Sequence, residues 1–334
     1  VKILVFEYIT GGGFNKQELP DSLAGEGRLM LNALLDNLMR LNSLEVTVML
    51  DWRIGALAGV NNVVIGAEHD VAEEFARLVR QFDLVWPIAP EFDGILQNLC
   101  QTVELSGKLL PTSPATAVAI AGNKFKTYEL LNQYQIAAVP TRILDDTYFS
   151  SFDRLRTGGE WMVKPVDGAG CEDSYVISNQ QDFEQMAARK GSYVIQPHLQ
   201  GAKTSLSCLF KQGRGWPICA NSQRFEFIGR QYHLAEVVVN HHPDLGPYRQ
   251  LIDKIALALP ELWGYAGIDL IETPTQTWVL EINPRLTTSF VGIYEALGIN
   301  VAEAVLQLLH GEPALKPVCN HPVTIQTKQE AHAS

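Results

Sequence analysis

The chain has 334 residues, 46% of them hydrophobic and 19% charged, an ordinary balance for a globular protein with room for two or three domains. Its net charge of -11 and pI near 5.2 argue against a general nucleic-acid or anionic-membrane surface, while leaving room for a local cationic pocket. Five cysteines (Cys100, Cys171, Cys208, Cys219, Cys319) without a CxxC exclude a disulfide framework and a thiolate zinc site, so a cytoplasmic location is expected.

Residues 2 to 8 read as a buried strand, interrupted too soon by Glu7 for a signal peptide, and no apolar run approaches a membrane span. Gly11-Gly12-Gly13 follows as a turn; it lacks dinucleotide-fingerprint spacing. From Ser22 to Leu41 the apolar residues keep helical spacing, with Asp21 or Ser22 as the expected cap. Strands at 45–50 and 83–87 alternate with helices at 71–80 and 92–105, which predicts a parallel sheet covered by helices. A helix is expected over 123–134 and a strand over 161–166. Strand-like runs at 193–196, 205–210, 216–227 and 231–239, joined by short polar turns, predict an antiparallel sheet. Helices at 248–259 and 299–309 and a frayed tail from Thr327 complete the reading. His241-His242 reads as a polar turn and Cys171 as a small loop residue.

Two lysines stand out. Lys124 opens a helix, and Lys164 ends the apolar strand Trp161-Met162-Val163-Lys164, where a lone ammonium is costly unless it meets an anion. The loop Asp167-Gly168-Ala169-Gly170 follows directly and can aim backbone N–H groups at phosphate oxygens. It is not a Walker motif.

The strands around Asp269 and Trp278-Val279-Leu280-Glu281-Ile282-Asn283 carry three hard oxygen donors, Asp269, Glu281 and Asn283, which suit Mg²⁺ or Mn²⁺ rather than Zn²⁺. Glu281 and Asn283 share a face because strand side chains alternate. If these runs form a hairpin, Asp269 faces Glu281 only when the loop holds an odd number of residues, such as Pro274-Thr275-Gln276, and that odd loop is expected; pairing with Leu280 would dissolve the shared site.

The order Asn123-Lys124, strand-Lys164-glycine loop, Asp269, then Glu281-x-Asn283 resembles the ATP-grasp superfamily of carboxylate–amine ligases. The resemblance implies an α/β and α+β chain: a Rossmann-like substrate domain (1–110), a central lid subdomain (111–195), a C-terminal subdomain with the metal site (196–326) and a tail (327–334). It also implies that Lys124 and Lys164 hold phosphates of ATP, that Asp269, Glu281 and Asn283 hold two divalent metals, Mg²⁺ or Mn²⁺, and that Arg285 lies beside the transferred phosphate or the substrate. Thr287-Thr288-Ser289 would sit near the substrate, as in D-alanine–D-alanine ligase. The hinge departs from the family pattern: in Gln196-Pro197-His198-Leu199-Gln200-Gly201-Ala202-Lys203, Gln196 and Lys203 take the two acidic positions. The backbone near Pro197 to Leu199 is expected at the adenine, without an N–H from Pro197.

Phe6-Glu7-Tyr8, Glu26-Gly27-x-x-Met30 and Pro87-Ile88-Ala89-Pro90-Glu91-x-Asp93-Gly94 narrow the resemblance to the tyramine–glutamate ligase family of methanofuran-type cofactor biosynthesis. That implies an ADP-forming ligase of glutamate with tyramine or tyrosine. Glu7, Glu26 and Glu91 are candidates to bind an ammonium or phenol, and Arg224 to bind a carboxylate or phosphate. The alternatives are a dipeptide, D-alanine-type or polyglutamate ligase, or a nucleotide-binding module without catalysis. A homodimer is the default assembly.

Overall fold

The computed structural model describes residues 1–42, 44–144, 159–168, 173–187, 189 and 191–327. Ala169, Gly170 and Cys171 of the glycine loop, and the tail from 328, lie outside them.

Strand β1 (Lys2–Glu7) is buried on both faces: Ile3 and Val5 enter one core, Leu4 and Phe6 another. That double burial suits the middle of a parallel sheet. β1 pairs in parallel with β2 (Glu45–Asp51) and β4 (Leu84–Ile88), and β3 (Asn61–Ile65) extends the sheet beyond β2. Helix α1 (Asp21–Met39) covers one face with Leu31, Leu34 and Leu38; α2 (Val71–Val79) and α3 (Ile95–Leu105) cover the other with Phe75, Leu78, Leu96 and Leu99. The α1 N-cap position is Pro20, with no side-chain cap from Asp21 or Ser22. The three glycines lie in a π-type turn, Ile9–Gly13, where Gly12 adopts φ +108°, a conformation costly to other residues.

Helices α4 (Ala115–Ala121) and α5 (Lys124–Gln133) lead into a second, antiparallel sheet. It contains β5 (Arg142–Leu144), β6 (Trp161–Pro165), β7 (Tyr175–Ile177), β8 (Tyr193–Pro197), β9 (Ala202–Lys211), β10 (Arg214–Ile228), β11 (Gln231–His242), β12 (Gly264–Glu272) and β13 (Thr277–Asn283), with β14 (Val323–Gln326) on β11. The strand order is β13-β12-β9-β10-β11-β7-β6-β8-β5. His241 and His242 close strand β11 instead of forming a turn. Helix α6 (Gln180–Ala187) packs Phe183 and Met186 on Val163, Ile177 and Ile195, a small core of its own. The expected division at 195/196 falls inside β8. A second cluster joins α5 and α7 (Arg249–Ala258) to β9, β12 and β13 through Leu131, Ile252, Leu206, Ile268 and Ile282.

The helix expected over 299–309 is α9 (Val301–Gln307); a further helix not expected from the sequence, α8 (Ile293–Leu297), precedes it and ends at Gly298, φ +67°. Ile293, Leu297 and Val305 share the α1 core, so the two sheets are joined by one apolar body. Asn37 of α1 pins α9: its Oδ1 accepts from Val301 N at 3.1 Å, and its carbonyl accepts from Asn300 Nδ2 at 2.8 Å.

The β12–β13 hairpin corrects one expectation and keeps its consequence. Glu272 pairs with Thr277, so the loop Thr273–Gln276 is even, not odd. A regular ladder would then set Asp269 against Leu280. Instead the register shifts between Asp269 and Leu270, and Asp269 pairs with Glu281. Leu280 is the extra residue of a β-bulge, which restores the parity that the loop denies.

Leu34 is wholly buried between α1 and the sheet. Leu34→Ala is expected to lower stability by about 2–5 kcal/mol, read by urea unfolding; a loss under about 1 kcal/mol would contradict this packing.

Candidate active site

The hairpin β12–β13 opens onto a cleft that also meets β6, β8, β10 and the start of α5. Lys124 is 8% exposed. It is fixed because Asn123 caps α5, its Oδ1 accepting from Lys126 N at 2.9 Å, and because Lys124 N donates to Val166 O at 2.9 Å. The Lys124 Nζ donates to the Gly168 carbonyl at 2.8 Å and lies 3.5 Å from Glu281 Oε2. Lys164, at the end of β6, lines the same cleft.

Asp269 receives two amide hydrogen bonds, from Asn283 Nδ2 to Oδ2 and from Gln223 Nε2 to Oδ1, each 3.0 Å. Burial, then the Glu281 charge, pushes its carboxyl up to about 7. Glu281 moves the other way: burial opposes its ionisation, but Lys124 and Lys164 outweigh it and hold its pKa down. Among the described residues no cluster of three or more His, Cys, Asp or Glu gathers. The donor set is two crossed-strand carboxylates plus the Asn283 amide, all hard ligands. An added cation would relieve the repulsion that raises Asp269, so these residues fit a divalent ion of the Mg²⁺ or Mn²⁺ type.

The hinge lines the cleft with Gln196, Pro197, His198 and Leu199. Thr141 Oγ1 donates to Val139 O at 2.8 Å and so can only accept from Gln196 Nε2, also at 2.8 Å. That fixes the amide and leaves the buried Gln196 Oε1 without a partner among the described residues. His198 is held at both ring nitrogens, by Glu160 and the Tyr232 hydroxyl, each at 2.8 Å. Its backbone N–H donates to Glu160 O at 2.9 Å. Lys203 donates to Leu199 O at 3.1 Å; burial, then the charge of Lys164, lowers its pKa to about 8.

Arg224 is not brought to the cleft. It is half exposed and lies 3.6 Å from Glu226 and from Glu236. Its neighbours Gln223 and Phe225 face the cleft instead, as strand alternation requires. The sequence reading missed both, and Tyr232; the alternation of Gln223 and Phe225 about Arg224 was the available signal. Asp167 does not line the cleft.

Glu7, Glu26 and Arg285 meet at a second cavity beside α1. Arg285 grips Glu91 with two hydrogen bonds, 2.8 and 2.9 Å, and donates to Leu286 O at 3.1 Å. Burial opposes its charge, and Glu91 sustains it, with smaller help from Glu26 and Glu281. Thr288 donates to Glu26 at 3.1 Å, and Thr287 shares a 3.0 Å hydrogen bond with the Tyr265 hydroxyl.

The ATP-grasp domain family matches residues 121–289, and the pre ATP-grasp 3 domain matches residues 44–118. The tyramine–L-glutamate ligases of Methanocaldococcus fervens and Methanocaldococcus jannaschii are each 24% identical over 298 residues, covering 87% of this chain and 89% and 84% of theirs. Among solved structures, a putative ATP-grasp superfamily protein from Archaeoglobus fulgidus aligns with TM-score 0.71 at 22% identity, over 98% of this chain and 92% of that one. An L-amino acid ligase from Bacillus licheniformis aligns with TM-score 0.66 at 18% identity, over 95% and 75%. The domain matches, the sequence relatives and a cleft with two lysines facing two carboxylates agree: the chain belongs to the ATP-grasp family and is an ATP-dependent carboxylate–amine ligase.

Proposed function

We propose that this ligase joins the γ-carboxyl of glutamate to the amine of tyramine or tyrosine, releasing ADP and phosphate, in the assembly of a methanofuran-type cofactor in the cytoplasm. The likeness to two tyramine–L-glutamate ligases along most of the chain supports the substrates. One observation carries the chemistry: Lys124, Lys164, Asp269 and Glu281 converge in a cleft whose far wall bears the unpartnered Gln196 Oε1. That oxygen accepts from the adenine amino group, while the lysines face the phosphates.

A carboxylate is a poor electrophile because its leaving group would be oxide. Attack of its oxygen on the γ-phosphate of ATP forms an acyl phosphate and releases ADP; the amine then attacks the acyl carbon and phosphate departs. The protein's task is alignment and charge stabilisation. Lys124 and Lys164 neutralise charge on the phosphate oxygens, and Arg285 contributes from the substrate side while Glu91 holds its guanidinium in place. Asp269, Glu281 and Asn283 would hold a divalent ion, which when bound would supply further neutralisation of charge on the phosphates. A homodimer is part of this reading.

ADP release with Mg²⁺ and glutamate should rise when tyramine or tyrosine is added; AMP and pyrophosphate as products would refute the scheme. Glu281→Ala should lower this turnover by at least about 100-fold, and unchanged turnover would overturn the site. Asp269 must be ionised to bind a cation. Because its pKa is about 7 in the metal-free protein, Mg²⁺ should raise the thermal midpoint of the ADP-bound protein more at roughly pH 8 than at roughly pH 6; equal shifts would argue against Asp269 as a ligand.

Lys203 is about half charged near pH 8. A bound polyanion favours the protonated form, so nucleotide binding near that pH should take up protons. Calorimetry in buffers of different ionisation enthalpy measures this uptake, which Lys203→Met should remove.

A further inference from the structure

Strand β8 sends alternate side chains to opposite sides of its sheet. Ile195 joins Val163 and Ile177 in the small core on one side. Gln196 takes the other side. It pairs with Met162, as Val194 pairs with Lys164, and Met162 and Lys164 both line the cleft. An amide thus stands in a cleft wall that Met162, Leu199 and Phe225 make largely apolar.

Gln196 is 1% exposed, and the two ends of its amide are treated differently. Nε2 donates to Thr141 Oγ1 at 2.8 Å, whereas Oε1 has no partner among the described residues. A buried amide oxygen without a donor is destabilising. Turning the amide over would not cure it. The Thr141 hydroxyl gives its single proton to Val139 O at 2.8 Å, so a reversed amide would set oxygen against the lone pairs of that hydroxyl. The orientation is therefore locked from behind. Thr141 is itself 2% exposed and does not line the cleft, so it acts on a ligand only through Gln196.

A fixed acceptor in an apolar wall discriminates between bases of the same shape. A purine with an amino group at its six position donates to the oxygen and relieves it. A purine with an oxo group there meets it lone pair to lone pair and leaves both oxygens unpaired. The apolar side chains nearby suit the flat face of either base and do not tell the two apart.

We propose that Thr141 sets the nucleobase selectivity of this ligase. As a positioning residue it holds Gln196 with the amide oxygen towards the ligand, so the site takes nucleotides of 6-aminopurines and rejects those of 6-oxopurines. This assignment rests on the nucleotide reading of the cleft and adds a residue outside the cleft that controls which base is accepted.

The test separates binding from turnover. ADP and IDP are titrated calorimetrically into the protein with Mg²⁺, and ATP and ITP are compared as substrates with glutamate and tyramine. ADP should bind at least about 30-fold more tightly than IDP. Thr141→Val keeps the shape and removes the hydroxyl, which frees the amide to present Nε2; the gap should narrow to within about five-fold, chiefly through tighter IDP binding. Thr141→Ser restores the hydroxyl and should keep the full gap, a rescue that a purely structural role would not predict. Gln196→Met removes both ends of the amide and should also narrow the gap. Thr141→Ala, read in the same way, takes the place of the valine variant if that one does not fold. Selectivity that Thr141→Val relaxes and Thr141→Ser keeps supports the assignment even without turnover, in which case only the ligase reading falls. Equal binding of ADP and IDP by the unaltered protein, or a gap unchanged in Thr141→Val or in Gln196→Met, overturns it, while amine-dependent ADP release would leave the ligase reading standing.

Discussion

The site depends on two carboxylates forced to face each other across a pair of strands. Asp269 and Glu281 are cross-strand partners beside an apolar core of Ile268, Leu270 and Ile282. Neither could hold that position at such close range without compensation. Lys124 and Lys164 stabilise the charge of Glu281, and amides from Asn283 and Gln223 steady Asp269. The result is a polarised pair, one member readily ionised and the other poised near neutrality.

Other parts of the molecule can be understood as supports for that arrangement. The start of α5 is tied to the end of β6 through Lys124 N and Val166 O, which brings the two lysine-bearing elements together. The Thr141–Gln196 hydrogen bond orients the hinge. The buried network of Ser207, Tyr265 and Thr287 holds the segment leading to Thr288 beside Glu26. Elements that line both cavities are thus braced by hydrogen bonds from Val166, Thr141, Ser207 and Tyr265.

Much of this was legible in the sequence because charges inside apolar strands are conspicuous. Lys164, Asp269 and Glu281 each break a local pattern that their own strands do not need broken. The parallel sheet announced itself through β1, apolar at every interior position. What was hidden depends on tertiary context. The β-bulge at Leu280 has no composition of its own, so loop parity alone gave the wrong loop length. Strand β3 opens with Asn61-Asn62, and an edge strand with one half-exposed face carries little apolar signal. Arg224 drew attention by its charge, yet face alternation gives the cleft to Gln223 and Phe225. The partnerless oxygen of Gln196 depends on Thr141, 55 residues away.

The Glu91–Arg285 pair joins residues 194 apart, with side chains only 5% and 11% exposed. The pair ties the end of the parallel sheet to the segment that follows β13. The unit of β5 to β8 and α6 has a core of its own and meets β11 and the turn before it through the pairing of Gln231 with Tyr175, the His198–Tyr232 hydrogen bond and the Arg230–Asp182 ion pair. The cleft lined by Lys164 and Gln196 is thus walled on one side by a unit with an apolar core of its own, whereas the cavity beside Arg285 is walled by Met30 and Ile88 from the core that the two sheets share.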